Sequence, residues 1–191
     1  MPHKFDPKNM HKLEERLKLM PPDEIFSMIN LKKGDVFLDI GAGPGGFSIP
    51  AANLVGPGGK VIALDISQEI LDYLSVRVNE AGIENIEIIR SEENDLMVPD
   101  QTGDISFLCM VFHETTTPVL FLQKVFRATK PGGKVVVIEW AKKPMEKGPP
   151  IEDRLELEEV KDYLRETGFT NVSGYYFRDY FFYVGGTREI R

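Results

Sequence analysis

The chain has 191 residues, of which 42% are hydrophobic and 28% charged. That balance belongs to one globular soluble domain and excludes a disordered or fibrous chain. A net charge of −7 and a pI near 5.1 oppose approach to a phosphate backbone, so nucleic acid is disfavoured as a partner. One cysteine excludes an intrachain disulfide.

No apolar run approaches the ~20 residues of a bilayer span. Met1 to Met20 is charged throughout and lacks an apolar signal core, so a cytoplasmic location is expected.

Leu13, Leu17 and Met20 share a helical spacing over 8–20. After Pro21-Pro22, Asp23 and Glu24 suit the start of a short helix carrying Ile25, Phe26 and Ile29. Val36 to Ile40 reads as a buried strand. A glycine loop spans Gly41 to Gly46, and a helical stretch runs to about Leu54. Lys60 to Asp65 is a second strand. Ser67 caps a helix with Ile70, Leu71, Leu74 and Val78 on one face, ended by Gly82.

Ile86 to Ile89 and Ile105 to Val111 are the third and fourth strands, and Pro118 opens a helix through Thr129. Pro131-Gly132-Gly133 reads as a turn into a fifth strand, Lys134 to Trp140. A loop over 141–153 leads to a helix with Leu157, Val160 and Leu164. The aromatic tail from Val172 to Val184 reads as a hairpin. Alternating strands and helices predict a doubly wound α/β sheet, mostly parallel, closed by an antiparallel edge strand. The expected organisation is one domain over 1–191, with 1–30 as a helical lid or edge segment and 31–191 as the core.

The chemistry concentrates in Val36-Phe37-Leu38-Asp39-Ile40-Gly41-Ala42-Gly43-Pro44-Gly45-Gly46-Phe47. Glycines between a strand and a helix let the backbone turn tightly and come close to a ligand. The helix start adds free N–H groups. Asp65 ends the second strand about two dozen positions after Gly41, where a carboxylate can grip both hydroxyls of a ribose. Asp39 discriminates between ligands. A fixed carboxylate ahead of the loop repels the diphosphate of a dinucleotide and attracts the ammonium and sulfonium of S-adenosylmethionine.

These segments, LDIGAGPGGFS followed by ALDIS, resemble the first motifs of class I S-adenosylmethionine-dependent methyltransferases. Ser91-Glu92-Glu93 through Glu114, and KPGGKVVVIEW, are similar to the group containing ubiquinone and menaquinone methyltransferases. The resemblance implies a Rossmann-like sheet of seven strands with one antiparallel C-terminal strand. It places Asp39, Gly41, Ala42 and Gly43 at the methionine end, Asp65 on the ribose and Ile66 against adenine. Glu92 or Glu93 reaches the adenine amino group, and Met110 and Val111 lie near the sulfonium.

His113 is either a general base at the carboxyl end of the fourth strand or a packing histidine. Cys109 reads as core. Trp140 with Gly148-Pro149-Pro150 and Arg154 either roofs a substrate pocket or forms a stiff connector. No metal-ligand spacing occurs.

The expected function is methyl transfer to a small-molecule acceptor. The alternatives are a protein or RNA substrate, or a non-catalytic S-adenosylmethionine-binding module. A homodimer is compatible with the sequence. The nucleic-acid version lacks an Asn- or Asp-Pro-Pro-Tyr signature and a Pro-Cys nucleophile. A nicotinamide reductase is opposed by Asp39 and by the lack of a tyrosine followed four residues later by lysine.

Overall fold

The computed structural model describes residue 15, residues 17–146 and residues 148–190. Most of the helix expected over 8–20 lies outside the described residues. The chain divides into two compact units, residues 1–92 and 93–191.

In the first unit, helix α1 (Pro22–Ile29) starts on proline, whose missing N–H costs nothing at a helix start, and carries Asp23 and Glu24 in its first turn. It buries Ile25, Phe26 and Ile29. The Phe26 ring meets Phe37 and Phe47 edge-on at centroid separations of 5.9 and 6.2 Å. Strand β1 (Val36–Ile40), helix α2 (Ser48–Val55), strand β2 (Lys60–Asp65), helix α3 (Gln68–Glu80) and strand β3 (Ile86–Arg90) follow in alternation. β1 pairs with β2, and β2 with β3, all parallel. Ser67 caps α3 by accepting from the Ile70 N–H. α3 buries Leu71, Leu74 and Val78 against Ala42 and Ala63.

The second unit holds strand β4 (Gly103–Cys109), a 3-10 turn (Phe112–Glu114), helix α4 (Pro118–Ala128), strand β5 (Thr129–Trp140), a second 3-10 turn (Ile151–Asp153), helix α5 (Leu157–Thr167) and strands β6 (Thr170–Phe177) and β7 (Phe181–Thr187). β4 and β5 are parallel. β7 is antiparallel to both β5 and β6. The seven strands form one sheet in the order β3-β2-β1-β4-β5-β7-β6. The α/β class, the strand number and the single antiparallel strand match the expectation.

Three details differ. The antiparallel strand is not at the edge: β7 lies between β5 and β6, so its Phe181, Phe182 and Val184 are fully buried. Pro131-Gly132-Gly133 is not a turn before the strand but a bulge within β5. While β4 advances from Gly103 to Ile105, β5 advances from Thr129 to Lys134. The bulge keeps its bonding, since the Gly132 N–H donates to the Arg188 carbonyl at 2.6 Å and the Arg188 N–H to that of Gly133 at 3.0 Å. Finally, β4 stops at Cys109, so Met110 and Val111 lie beyond it and Cys109 is the half-buried last residue rather than mid-strand core. The cause is the left-handed backbone of Met110, φ +57°, which extended pairing cannot accommodate.

Candidate functional site

The glycine loop is tied to the end of β2. The N–H groups of Gly41 and Ala42 both donate to the Leu64 carbonyl at 2.8 Å, and the Gly43 N–H donates to Asp65 Oδ2 at 3.0 Å. The Ser67 N–H donates to Asp65 Oδ1 at 3.0 Å. Asp65 is thus oriented by the backbone around it and keeps acceptor capacity for ribose hydroxyls. Burial raises the Asp65 pKa against the lowering effect of the Ser67, Gly43 and Ile66 N–H groups. Ile66, next along, is 44% exposed, an apolar side chain beside a carboxylate.

Two glycines of the loop do different jobs. Gly43 has φ +54°, and a Cβ built there meets no atom within 4 Å. Gly45, φ +84°, has no such room, because its Cβ would run into Leu74 Cδ1 of α3. Gly43 faces open space, whereas Gly45 serves the packing of loop on helix. Arg77 of α3 adds a tie by donating to the Pro44 carbonyl.

Asp39 is 3% exposed at the penultimate position of β1. Its Oδ2 accepts from Ser48 Oγ at 2.5 Å. Its pKa is pushed up to about 7, chiefly by burial, opposed by the Ser48 hydroxyl and reinforced by the negative charge of Asp65. Neither Asp39 nor Asp65 forms an ion pair among the described residues. Two carboxyl groups around one loop, neither of them neutralised by an ion pair among the described residues, are arranged to accept donors and positive charge.

In the second unit, His113 sits in the 3-10 turn after β4, and its Nδ1 lies 2.8 Å from Glu139 Oε2. Glu139 is 2% exposed, and its Oε1 accepts from the Phe112 N–H at 2.8 Å and the His113 N–H at 3.2 Å. Burial pulls the His113 pKa down. The hydrogen bond and charge of Glu139, with the charges of Glu114 and Asp153, outweigh it and leave the imidazole above its ordinary value. Beneath the turn, Phe112 stacks on Phe121 at 6.2 Å and meets Tyr163 edge-on at 6.0 Å.

Sequence reasoning missed Glu139, Ser48 and Arg77. The signal for Glu139 was present: one acidic residue inside Val135-Val136-Val137-Ile138-Glu139-Trp140, a run otherwise apolar and buried. Of the two glutamates expected at adenine, Glu93 is engaged elsewhere, its Oε1 accepting from the Thr116 N–H at 2.9 Å and hydroxyl at 2.6 Å. Those bonds lower its pKa. Glu92 is exposed. Met110 is buried and its N–H bonds the Ile138 carbonyl at 2.8 Å; Val111 is half-buried.

The loop after β5 is a built connector. Arg154, 4% exposed, donates to the carbonyls of Pro149 at 2.8 Å, Lys143 at 2.8 Å and Ala141 at 3.2 Å. Gly148 lies on Trp140 so closely that an added Cβ would stand 2.8 Å from the indole ring. Among the described residues no cluster of metal-ligand type is formed, and no helix is long and apolar enough to cross a membrane.

The ubiE/COQ5 methyltransferase family model matches residues 17–148. The chain belongs to that family. As a member of the ubiE/COQ5 methyltransferases, it is 30% identical over 117 residues to a demethylmenaquinone methyltransferase of Geobacillus sp. (strain WCH70), covering 61% of this chain and 50% of the relative. It is 31% identical over 113 residues to the ubiquinone/menaquinone biosynthesis C-methyltransferase UbiE of Pasteurella multocida (strain Pm70), covering 59% and 42%. The chain thus spans about half the length of the curated relatives it matches. A solved SAM-dependent methyltransferase from Aquifex aeolicus superposes with a TM-score of 0.90 at 35% identity, over 97% of this chain and all of that one. The family assignment agrees with the methyltransferase motifs and with the seven-stranded, mostly parallel sheet that they imply.

Proposed function

We propose that the chain is an S-adenosylmethionine-dependent methyltransferase acting on a small molecule, with a reduced quinone as the acceptor class. The observation that carries the cofactor assignment is the pair of carboxyl groups, Asp39 and Asp65, set around the glycine loop with no ion-pair partner among the described residues. A diphosphate would meet repulsion from Asp39. The ligand's ammonium and sulfonium offset Asp39, and its ribose hydroxyls meet the acceptor capacity left on Asp65.

The open space at Gly43 allows close backbone approach. Ile66 offers an apolar surface for the adenine, and Glu92, rather than the engaged Glu93, an acceptor for its amino group. The family resemblance assigns Gly41 and Ala42 to the same ligand, and Met110 and Val111 to its sulfonium end. When bound, the cofactor supplies a methyl group already activated by sulfonium. What the protein adds is orientation and, through His113, a place for the acceptor's proton.

The acceptor class rests on the names of the relatives and on one chemical requirement. A quinone carbonyl has no proton to lose, whereas its reduced, dihydroxylated form does. A base with a raised pKa such as His113 is useful only for the second.

The test is a transfer assay with methyl-labelled S-adenosylmethionine and a short-chain demethylated naphthoquinone, with and without borohydride reduction. Label should enter the lipid-soluble product only with reductant. Label entering protein or RNA of a cell extract, and not the quinol, would reassign the acceptor.

A further inference from the structure

A carboxylate buried in a strand of valines and isoleucines requires a reason. Glu139 stands in β5 with 2% exposure, and each of its oxygens has a distinct task. Oε1 takes the backbone N–H groups of Phe112 and His113 and so caps the 3-10 turn. Oε2 faces the imidazole Nδ1 at 2.8 Å. Capping alone needs only a carbonyl oxygen and leaves no reason for the second contact.

From this geometry we infer that Glu139 is the positioning residue of the His113 base. It holds the neutral ring with its proton on Nδ1, which leaves the Nε2 lone pair as the proton acceptor. The inference rests on the methyl-transfer reading for its purpose, but not for its chemistry. An ionised carboxylate can only accept, so the nitrogen facing it must donate. When the acceptor's O–H bond breaks, a new N–H bond forms at Nε2. The ring becomes an imidazolium whose charge is held against the Glu139 carboxylate.

The other acidic groups that act on the ring are Glu114, from the same turn, and Asp153, from the second 3-10 turn. Glu114 Oε1 stands 4.0 Å from Nε2, too far to accept a hydrogen bond from an N–H there, and so does not draw the ring proton away from Nδ1. With Glu139 they make the surroundings of the base negative. An acceptor that is neutral before it loses its proton therefore fits better than a carboxylate or phosphate ester.

Glu139→Gln separates positioning from architecture. Its amide has the same size, and its carbonyl can still cap the turn. Its NH2 then faces Nδ1 and donates, which forces the ring proton onto Nε2 and removes the basic lone pair. The chain has three histidines, so long-range 1H–15N spectra of the labelled protein resolve His113 without cofactor or acceptor.

The wild type at alkaline pH should show a protonated Nδ1 and a bare Nε2. In Glu139→Gln the two should exchange, and the ring should titrate at lower pH. In the quinol assay kcat should fall roughly a hundredfold with KM little changed, the size expected when a general base is disabled. A wild-type ring protonated on Nε2, or a variant with an unaltered tautomer, overturns the inference, and the wild-type spectrum alone decides the first point. If the tautomer exchanges as stated but the wild type methylates no quinol, the positioning role stands and the acceptor assignment falls.

Discussion

Ser48 Oγ donates to Asp39 Oδ2 at 2.5 Å, joining the first turn of α2 to the end of β1 beneath the glycine loop. The bond holds a carboxyl group that burial has made a weak acid, with a pKa of about 7. A cation at that carboxyl favours its ionised form, so binding and proton release are linked. Between pH 8 and pH 6 the affinity for S-adenosylmethionine should fall about tenfold, since the group must lose a proton at the lower pH. Calorimetry in buffers of different ionisation enthalpy should detect the released proton near pH 6.5. Asp39→Asn should bind weakly and without this pH dependence.

The same carboxyl sets a stability prediction. Its folded pKa, about 7, lies above its unfolded value of 3.8. Between those limits the folded state binds more protons than the unfolded state, so stability falls as pH rises from about 4 to 7 and stays lowered above. Asp39→Asn removes that loss while still accepting from Ser48. Thermal unfolding should show the variant several degrees more stable than wild type at pH 8 and equal to it at pH 4.

Gly43→Ala and Gly45→Ala should separate ligand approach from packing. Both positions have positive φ, so each substitution strains the backbone by about 1 kcal/mol. At Gly45 the methyl also collides with Leu74, which adds roughly 1–3 kcal/mol. Denaturant unfolding should find Gly45→Ala the less stable by that margin. Gly43→Ala, destabilised by the backbone strain alone, should show the larger relative loss of cofactor affinity.

Arg154→Met tests whether the loop after β5 depends on one side chain. The buried guanidinium serves three carbonyls, of Pro149, Ala141 and Lys143. Methionine keeps the volume and leaves those carbonyls without it. A loss of roughly 2–4 kcal/mol is expected from unfolding curves, together with faster proteolysis in the segment around Gly148.

The local signals in the sequence were strong where a residue's partner is near in the chain. The run Val36 to Ile40, the glycines after it and Ser67 three residues before Ile70 each mark their element without reference to the rest of the fold. Where the partner is distant, a residue's task was not legible, even at Glu139, whose place in an apolar run marks it as unusual. Glu139 has meaning only beside His113, which lies in another segment of the chain. β7 enters between β5 and β6 because pairing on both its edges buries Phe181 and Phe182, and a hairpin read alone does not say which arm faces the sheet. The left-handed Met110 that ends β4 has no signature, because methionine carries no preference for that conformation. The Pro-Gly-Gly bulge shares its composition with a turn and is told apart only by the strand beside it.

Asp39 ahead of the glycine loop sets the sign of charge the site accepts, and Asp65 is the carboxylate that holds the ribose. Both roles are checked by isothermal titration of the wild type and of Asp65→Ala with S-adenosylmethionine and with NADH at pH 8. The wild type should bind S-adenosylmethionine saturably and Asp65→Ala at least a hundredfold more weakly, with no heat from NADH in either. Tight NADH binding by the wild type, or S-adenosylmethionine affinity indifferent to Asp65, would overturn this assignment of the site.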